Sequence, residues 1–437
     1  MRRQGSIRRA ALAALLGSPA ALGAAACGGP DRPAGGAPAP GAEEEPAVRS
    51  QAGPGPYLFA WAADLDRAHS DFLAVLDADP ASPDYGRVVA TVPVERRGTM
   101  PHHTEHRMPA SRTLVANGFM TGTTFRFDLS DPAAPRLAGA FGERAGYTHP
   151  HSYERLPNGN ALATYQGRGE ANVDPGGLVE VDDAGELVRS ASAADPARPD
   201  ALLRPYSLAV VPDLDRVVTT SYDMGEDMGF RGGRRGRTRH VQVWRLSDLA
   251  LLATIDLPPG PRGYEDEQPG EPRLLSDGRT VLVATFACGL YRMTGLDGET
   301  PGAEWAWSFD GGGCAVPVVL GDFWIQPVPS ARAVVALDVS DPAAPREVSR
   351  LTLGPRNFPH WLALDPGGSR IVIADRGDGE SRLFVATVDP TTGALALDEG
   401  FRDPGADRPG VSFDRAGWPH GSTGPARPHG TVFGTAP

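Results

Sequence analysis

A chain of 437 residues with 54 acidic against 42 basic side chains carries a formal net charge of −12. With neither a basic tail nor a basic helical stripe, that balance argues against nucleic acid as a partner. No lysine occurs anywhere, which excludes Schiff-base chemistry and lysine-dependent phosphate loops.

At the N-terminus Arg2, Arg3, Arg8 and Arg9 precede an Ala/Leu-rich stretch from about Ala10 to Ala26. A basic region followed by a short apolar one predicts a secretory signal over residues 1–26. Gly17, Ser18 and Pro19 interrupt the apolar run, which falls short of the roughly 20 apolar residues of a spanning helix. Cys27 follows Ala24-Ala25-Ala26 and precedes Gly28-Gly29, an arrangement resembling a bacterial lipoprotein cleavage site with Cys27 as the lipidated residue. Ordinary cleavage at the same small residues is the alternative. Arg8-Arg9 also fits a twin-arginine signal, without the residues that usually follow. The expectation is an exported chain, periplasmic or at the cell surface, meeting the membrane only through a lipid anchor at Cys27. Residues 27–55 are Gly, Pro, Ala and Glu with almost no large apolar side chain, and read as a flexible linker. Beyond Cys27 only Cys288 and Cys314 remain. In an oxidising compartment an even pair predicts a disulfide, two separate buried thiols being the other reading.

From residue 56 to 437 the chain consists of short β-branched or alternating runs separated by turn residues, with hardly any helical period. One recurring pattern is a turn leading into a strand: Leu156-Pro-Asn-Gly159 before Ala161, Val211-Pro-Asp213 before Val217, Leu275-Ser-Asp-Gly278 before Val281, and Asp365-Pro-Gly-Gly368 before Ile371. A second is nearly identical in two places, Phe127-Asp-Leu-Ser-Asp-Pro-Ala-Ala-Pro-Arg136 and Leu337-Asp-Val-Ser-Asp-Pro-Ala-Ala-Pro-Arg346, with weaker copies at Val179, Val243 and Ala386. Strand, Asp-containing turn, strand, at a period of roughly 40 to 55 residues, predicts an all-β fold of the β-propeller type. About 380 residues then make seven blades, six or eight being the alternatives. Asp223 to Arg239 reads as an exposed loop, and Glu265 with Glu267 as solvated surface.

Eight of the ten histidines fall in four neighbourhoods: His102, His103 and His106; His149 and His151; His360; His420 and His429. Five of these directly follow a proline, at 101, 150, 359, 419 and 428. Proline fixes its own φ and removes a donor, so Pro-His suits a rigid strand end that aims an imidazole at one point. Neutral imidazole without Cys or Met ligands suits copper, zinc, iron or nickel. In a propeller the innermost strands converge on one axis, so ligands distant in sequence can meet there. Strand alternation opposes a single site for the first group, because His102, Thr104 and His106 would share one face and His103 with Glu105 the other, unless the segment is a loop. The bland alternative is that these histidines bond backbone or cap turns. Ser152 beside His151 lacks a nucleophile-elbow context.

Several stretches, in order, resemble the selenium-binding protein family, whose members include the methanethiol oxidases. They are Asp71-Phe-Leu-Ala-Val-Leu-Asp-Ala-Asp-Pro-Ala-Ser-Pro-Asp-Tyr85, His102-His103, Arg112-Thr-Leu-Val115, Asp131-Pro-Ala-Ala-Pro-Arg136, His151-Ser152 ahead of Leu156-Pro-Asn-Gly159, His240-Val-Gln-Val-Trp244, and Gly424-Pro-Ala-Arg-Pro-His429. The resemblance implies a seven-bladed propeller and, as in the oxidases, copper-dependent oxidation of a small thiol by O₂ to aldehyde, hydrogen sulfide and hydrogen peroxide. Carried over residue by residue, it makes His102, His103, His151 and His429 the metal ligands. His106, His149, His360 and His420 are secondary candidates, with zinc or iron as alternative metals and Glu105 or His106 as a proton relay. The family's Cys segment after the paired histidines is replaced here by Thr104-Glu-His-Arg-Met108, which puts selenium binding in doubt. A non-catalytic propeller binding a metal or a protein partner, and a zinc or iron hydrolase or lyase, are the competing readings.

Overall fold

Runs such as Phe72–Asp77 and Val281–Thr285 are buried along their whole length. A strand apolar on both faces needs a neighbour on each side of its sheet. The computed structural model describes residues 56–169, 172–173, 175–227, 237–375 and 379–435. The signal, Cys27, the linker and the middle of the 223–239 segment lie outside the described residues. Those described form seven antiparallel sheets arranged as a β-propeller, the architecture and blade count expected from the repeats.

We number the blades in chain order of their innermost strands, blade 1 holding both ends of the fold. The innermost strands are Gly424–Thr435 in blade 1, then Pro101–Thr104, Tyr147–Arg155, Pro205–Val211, Pro269–Leu274, Val318–Leu320 and Pro359–Leu364 in blades 2 to 7. Each lies beside the next, and Gly424–Thr435 lies beside both Pro359–Leu364 and Pro101–Thr104, which closes the ring. In blade 1 the C-terminal strand pairs with Pro56–Asp64, followed outward by Phe72–Asp77 and Val88–Pro93. Closure therefore depends on a register between the two chain ends, Tyr57 opposite Gly434 and Asp64 opposite Ala426.

Seven apolar clusters fill the seven gaps between adjacent blades. Leu162 and Leu178 meet Val217 and Trp244 between blades 3 and 4, and Leu282 and Leu290 meet Trp324 and Leu337 between blades 5 and 6. At about 1.5–3 kcal/mol for each fully buried Val, Leu or Phe side chain, these gaps hold the ring together. The outermost strands, such as Leu187–Ser192, are largely exposed. Cys288, after the second strand of blade 5, is disulfide-bonded to Cys314 in the segment leading to blade 6.

The near-identical repeats form the same surface turn in blades 2 and 6. Asp128 accepts the amide and hydroxyl of Ser130 and pairs with Arg136 at 2.5 Å. Asp338 accepts the Ser340 amide and pairs with Arg346 at 2.5 Å. The reading of Glu265 and Glu267 as solvated surface is corrected. Glu265 is fully buried and accepts the Arg262 amide (2.8 Å), the Arg262 guanidinium (3.0 Å) and the Ser308 hydroxyl (2.9 Å). Burial opposes its charge, but these donors prevail and hold the carboxyl down to about 2. Glu267 and buried Asp266 take the guanidinium groups of Arg237 and Arg239.

Candidate metal centre

Six of the seven innermost strands carry one extra residue at the same place, just after a proline. In blade 2, Pro101 faces Gly118 and Thr104 faces Ala116, so His102 and His103 together oppose Asn117. In blade 3, His151 and Ser152 oppose Thr164. In blade 4, Tyr206 and Ser207 oppose Thr220. In blade 1, His429 and Gly430 oppose Trp61. The register also shifts after Pro269 in blade 5 and Pro359 in blade 7. Such a bulge re-aims side chains and leaves backbone groups unpaired. Here the opposing residue satisfies them twice over. Asn117 Oδ1 accepts the His103 amide (2.6 Å), while its Nδ2 donates to Pro150 O (2.8 Å) and His151 O (3.1 Å) of the next blade. Thr164 Oγ1 accepts the Ser152 amide and donates to Tyr206 O (2.7 Å), and Thr220 Oγ1 accepts the Ser207 amide and donates to Gly270 O (2.6 Å).

The bulge overturns the alternation expected for His102 and His103. Their rings stack face to face, centroids 4.5 Å apart and planes within 4°. The His151 ring lies 4.2 Å from His103 and 4.8 Å from His102, and the His429 ring 4.2 Å from His102. One nitrogen each of His102, His103 and His151 falls within 4.8 Å of the others, an arrangement that can hold a metal ion. All three residues are buried, and His102 Nδ1, His103 Nε2 and His151 Nε2 have no hydrogen-bond partner.

In His151 and His429 the other ring nitrogen meets a backbone carbonyl, which fixes the tautomer. His151 Nδ1–H donates to Tyr206 O (2.7 Å), leaving the lone pair on Nε2. His429 Nδ1–H donates to His102 O (2.9 Å), with the same result. His103 Nδ1 and His151 Nδ1 both meet Ser152 Oγ, at 2.8 and 3.0 Å. Hydrogen bonds of this kind orient metal-binding imidazoles and set which nitrogen is free. Burial pushes His102, His103 and His429 well below the ordinary histidine range and His151 down to about 3. The neutral form, which binds metals, is thus the one present at neutral pH.

The two sides of the cluster differ. Toward the start of the innermost strands lies an apolar group of Phe119, Tyr206 and Met224 with Met100, Tyr222 and Phe286. Its Phe119 ring is 5.7 Å from His151 and 6.1 Å from His102. Toward their ends His106 stacks on Trp361 (4.9 Å, 15°) and receives Arg273 Nη2 at 3.2 Å. A cavity of about 430 Å³ lined by His106, Arg107, Glu154 and Arg155 opens at that end.

The other candidates separate by position. His360 flanks the cluster, its ring 4.8 Å from His429. His149 has φ 58, a left-handed backbone before Pro150, and its ring packs on Phe119 at 5.8 Å. His420 lies apart, on blade 1, between Thr91 Oγ1 and Ser422 Oγ and against Phe72. Glu105, the candidate relay, lies buried. It accepts the Val115 amide and pairs with Arg155 at 2.5 Å. The sequence reading missed Glu271, which is buried with Oε1 3.9 Å from His103 Nε2, and Ser207 and Tyr206 beside it. A signal for all three existed: a proline opens the bulge in each of the six bulged blades, at 101, 150, 205, 269, 359 and 428. Aligned on it, the next two positions bear the channel residues.

No family model matches the chain. It is 27% identical over 218 residues to a methanethiol oxidase of Hyphomicrobium sp, covering 47% of this chain and 49% of the relative. It is 23% identical over 273 residues to a methanethiol oxidase of Danio rerio, covering 57% of each, and 28% identical over 141 residues to selenium-binding protein 2 of Arabidopsis thaliana, covering 29% of each. The chain thus spans about half the length, or less, of the curated relatives it matches. Among solved structures, a hypothetical selenium-binding protein from Sulfolobus tokodaii superposes with a TM-score of 0.69 at 16% identity, over 88% of this chain and 95% of that one. A periplasmic gluconolactonase from Pseudomonas aeruginosa gives 0.57 at 17% identity, over 87% and 100%, which shows that the fold alone is shared more widely. Sequence similarity over part of the chain, together with the shared fold, supports the resemblance to the selenium-binding proteins and methanethiol oxidases.

Proposed function

We propose that the chain is an exported, copper-dependent oxidase of a small thiol, converting thiol, O₂ and water to an aldehyde, hydrogen sulfide and hydrogen peroxide. The observation that carries the reading is the meeting of three buried, unpartnered imidazole nitrogens on the axis of a propeller related to the methanethiol oxidases. His102, His103 and His151 would hold the ion, with His429 beside them presenting Nε2. Copper bound there supplies a Lewis acid that favours thiolate over thiol and a redox centre between sulfur and O₂.

The chain's own residues supply the rest. Ser152 ties the His103 and His151 rings together, and Asn117 holds both bulges in register. Phe119, Tyr206 and Met224 exclude water from one side and offer an apolar surface to a methyl-sized substituent. The replaced Cys segment places no thiol beside the cluster: Met108 packs instead against the core between blades 1 and 2.

Metal analysis of protein purified without a His tag, together with O₂ uptake and peroxide release on methanethiol, tests the proposal. Stoichiometric copper and thiol-dependent peroxide are expected. Stoichiometric zinc without copper, and no peroxide with any thiol, overturn it. Export through a lipid anchor is part of the same reading. Cys27→Ser should move the protein from the membrane fraction to the soluble one, and an unchanged distribution removes the anchor.

A further inference from the structure

We infer that Glu271 adds a carboxylate ligand to the histidine site, so that the ion is held by nitrogen and oxygen donors together; this rests on the metal-binding reading above. Blade 5 differs from its neighbours at the bulge. Where blades 1, 2, 3 and 7 place His429, His102, His151 and His360 directly after the proline, blade 5 has Gly270, and the following residue is Glu271. The side chain is 1% exposed. Its Oε2 is fully engaged, accepting Ser207 Oγ–H at 2.7 Å and Arg273 Nη1 at 2.8 Å. Arg273 is itself held by Pro272 O, Pro317 O and the His106 ring.

Glu271 Oε1 has no hydrogen-bond partner, and neither has His103 Nε2, which it faces at 3.9 Å. That gap is too long for a hydrogen bond, whose N···O distance runs to about 3.2 Å. Metal bonds of about 2.0–2.2 Å to nitrogen and to carboxylate oxygen let one ion touch both atoms. Two buried polar atoms left bare and facing each other cost free energy unless something sits between them. A cation does so for both at once, and the bond from Arg273 keeps the carboxylate oriented while it waits. Borderline and harder divalent ions accept such a mixed set, whereas cuprous copper favours softer donors. The carboxylate therefore biases the site toward the oxidised ion.

The test uses the full chain with copper(II) and, separately, cobalt(II). Metal affinity is measured by chelator competition, and the ligand field by electron paramagnetic resonance for copper and visible absorption for cobalt. Glu271→Gln should bind copper(II) at least about tenfold more weakly, with altered copper hyperfine splitting and a changed cobalt spectrum. Unchanged affinity and unchanged spectra in Glu271→Gln, while His151→Ala loses the metal, overturn the inference and leave the histidine site standing. A wild-type chain that takes up neither ion overturns both. Should Glu271→Gln fail to fold by circular dichroism, Glu271→Asp replaces it. Its shorter carboxylate must also shift both spectra, and identical spectra overturn the proposal.

Discussion

Blades 2 and 4 build the same bulge with the same hydrogen bonds and put different chemistry on it. Asn117 spans the His102-His103 bulge and the carbonyls of blade 3; Thr220 spans the Tyr206-Ser207 bulge and the carbonyl of blade 5. One turns two imidazoles to the axis and the other turns an aromatic ring and a hydroxyl. Across the ring, blades 1, 2, 3 and 7 present histidine at this point, blades 4 and 5 present Tyr206 and Gly270, and blade 6 has no bulge, its Val318 packing between blades 6 and 7. Position is thus a property of the scaffold and chemistry a property of one or two side chains per blade. The scaffold also explains how adjacent residues on a strand reach one site, since the extra residue cancels the alternation that would separate them.

The comparison breaks most visibly if a channel histidine is removed. His151→Ala or His103→Ala should abolish stoichiometric metal and reduce thiol oxidation by at least about 100-fold, because a ligand loss exceeds the 10–100-fold typical of the groups that orient ligands. Far-ultraviolet circular dichroism should be unchanged. Tyr206→Phe, in the blade 4 bulge, keeps its backbone acceptor for His151 and should keep the metal. Metal analysis of the purified variants decides.

Next in size is the scaffold itself. Asn117→Ala leaves a buried amide and two carbonyls without partners, and Thr220→Val leaves one of each. At roughly 1–3 kcal/mol per buried group left unsatisfied, denaturant unfolding should show about 3–4 kcal/mol lost in Asn117→Ala and about 2 in Thr220→Val. Asn117→Ala should weaken metal binding the more, because Asn117 bonds the backbone of His103 and His151 directly, whereas Thr220 bonds that of Ser207 and Gly270. Equal loss of metal in both variants would mean that the two bulges are not independent devices.

How much of this was legible in the sequence differs between the two levels. The blades were, because each is announced by a turn with a physical cause: Gly159, Gly278 and Gly368 adopt φ of 86, 69 and 67, and Asp128 and Asp338 close near-identical loops. Proline-histidine pairs also pointed to the axis, four of five lying there and His420 on the edge of blade 1. The bulges were not legible, since an inserted residue changes pairing without changing local composition. Glu271 was hidden for a related reason. A lone carboxylate between Gly270 and Pro272 reads as a loop until Pro269 is aligned with the prolines of the other blades. Glu265 and Glu267 were misread because a polar loop was equated with solvent, whereas the Glu265 oxygens close the loop on itself and Glu267 pairs with Arg237.

A third expectation concerns pH and the channel alone. Burial lowers His151 from 6.5 to about 3, against the smaller opposing effect of its bond to Tyr206 O. Between those values the unfolded chain binds the proton that the folded chain refuses, so stability falls as pH falls. At pH 5 the loss for His151 is about 2 kcal/mol, with His102, His103 and His429 acting in the same direction. Metal-free protein should therefore unfold more easily at pH 5 than at pH 7, and His151→Ala should flatten that dependence. Thermal or urea unfolding at the two pH values measures it.

The smallest effect belongs to the surface turns, where the same reasoning runs with the opposite charge. Bonds from Ser130, then the Arg136 guanidinium, hold Asp128 down to about 2, below its ordinary 3.8. A carboxyl depressed in the folded state contributes stability above its unfolded pKa and loses it as pH falls toward the folded one, so this contribution is intact at pH 5 and fades between about 4 and 2. The side chain is 27% exposed and the pair is open to solvent, which limits Asp128→Asn to about 0.5–1 kcal/mol. Because the Asp338 turn has the same bonds on the opposite side of the sequence, Asp338→Asn should match it, and the double variant should be additive. Neither change should alter metal content. If Asp128→Asn did, the edge of blade 2 would be coupled to its innermost strand, and the separation of scaffold from chemistry would fail at the blade that carries two of the three histidines.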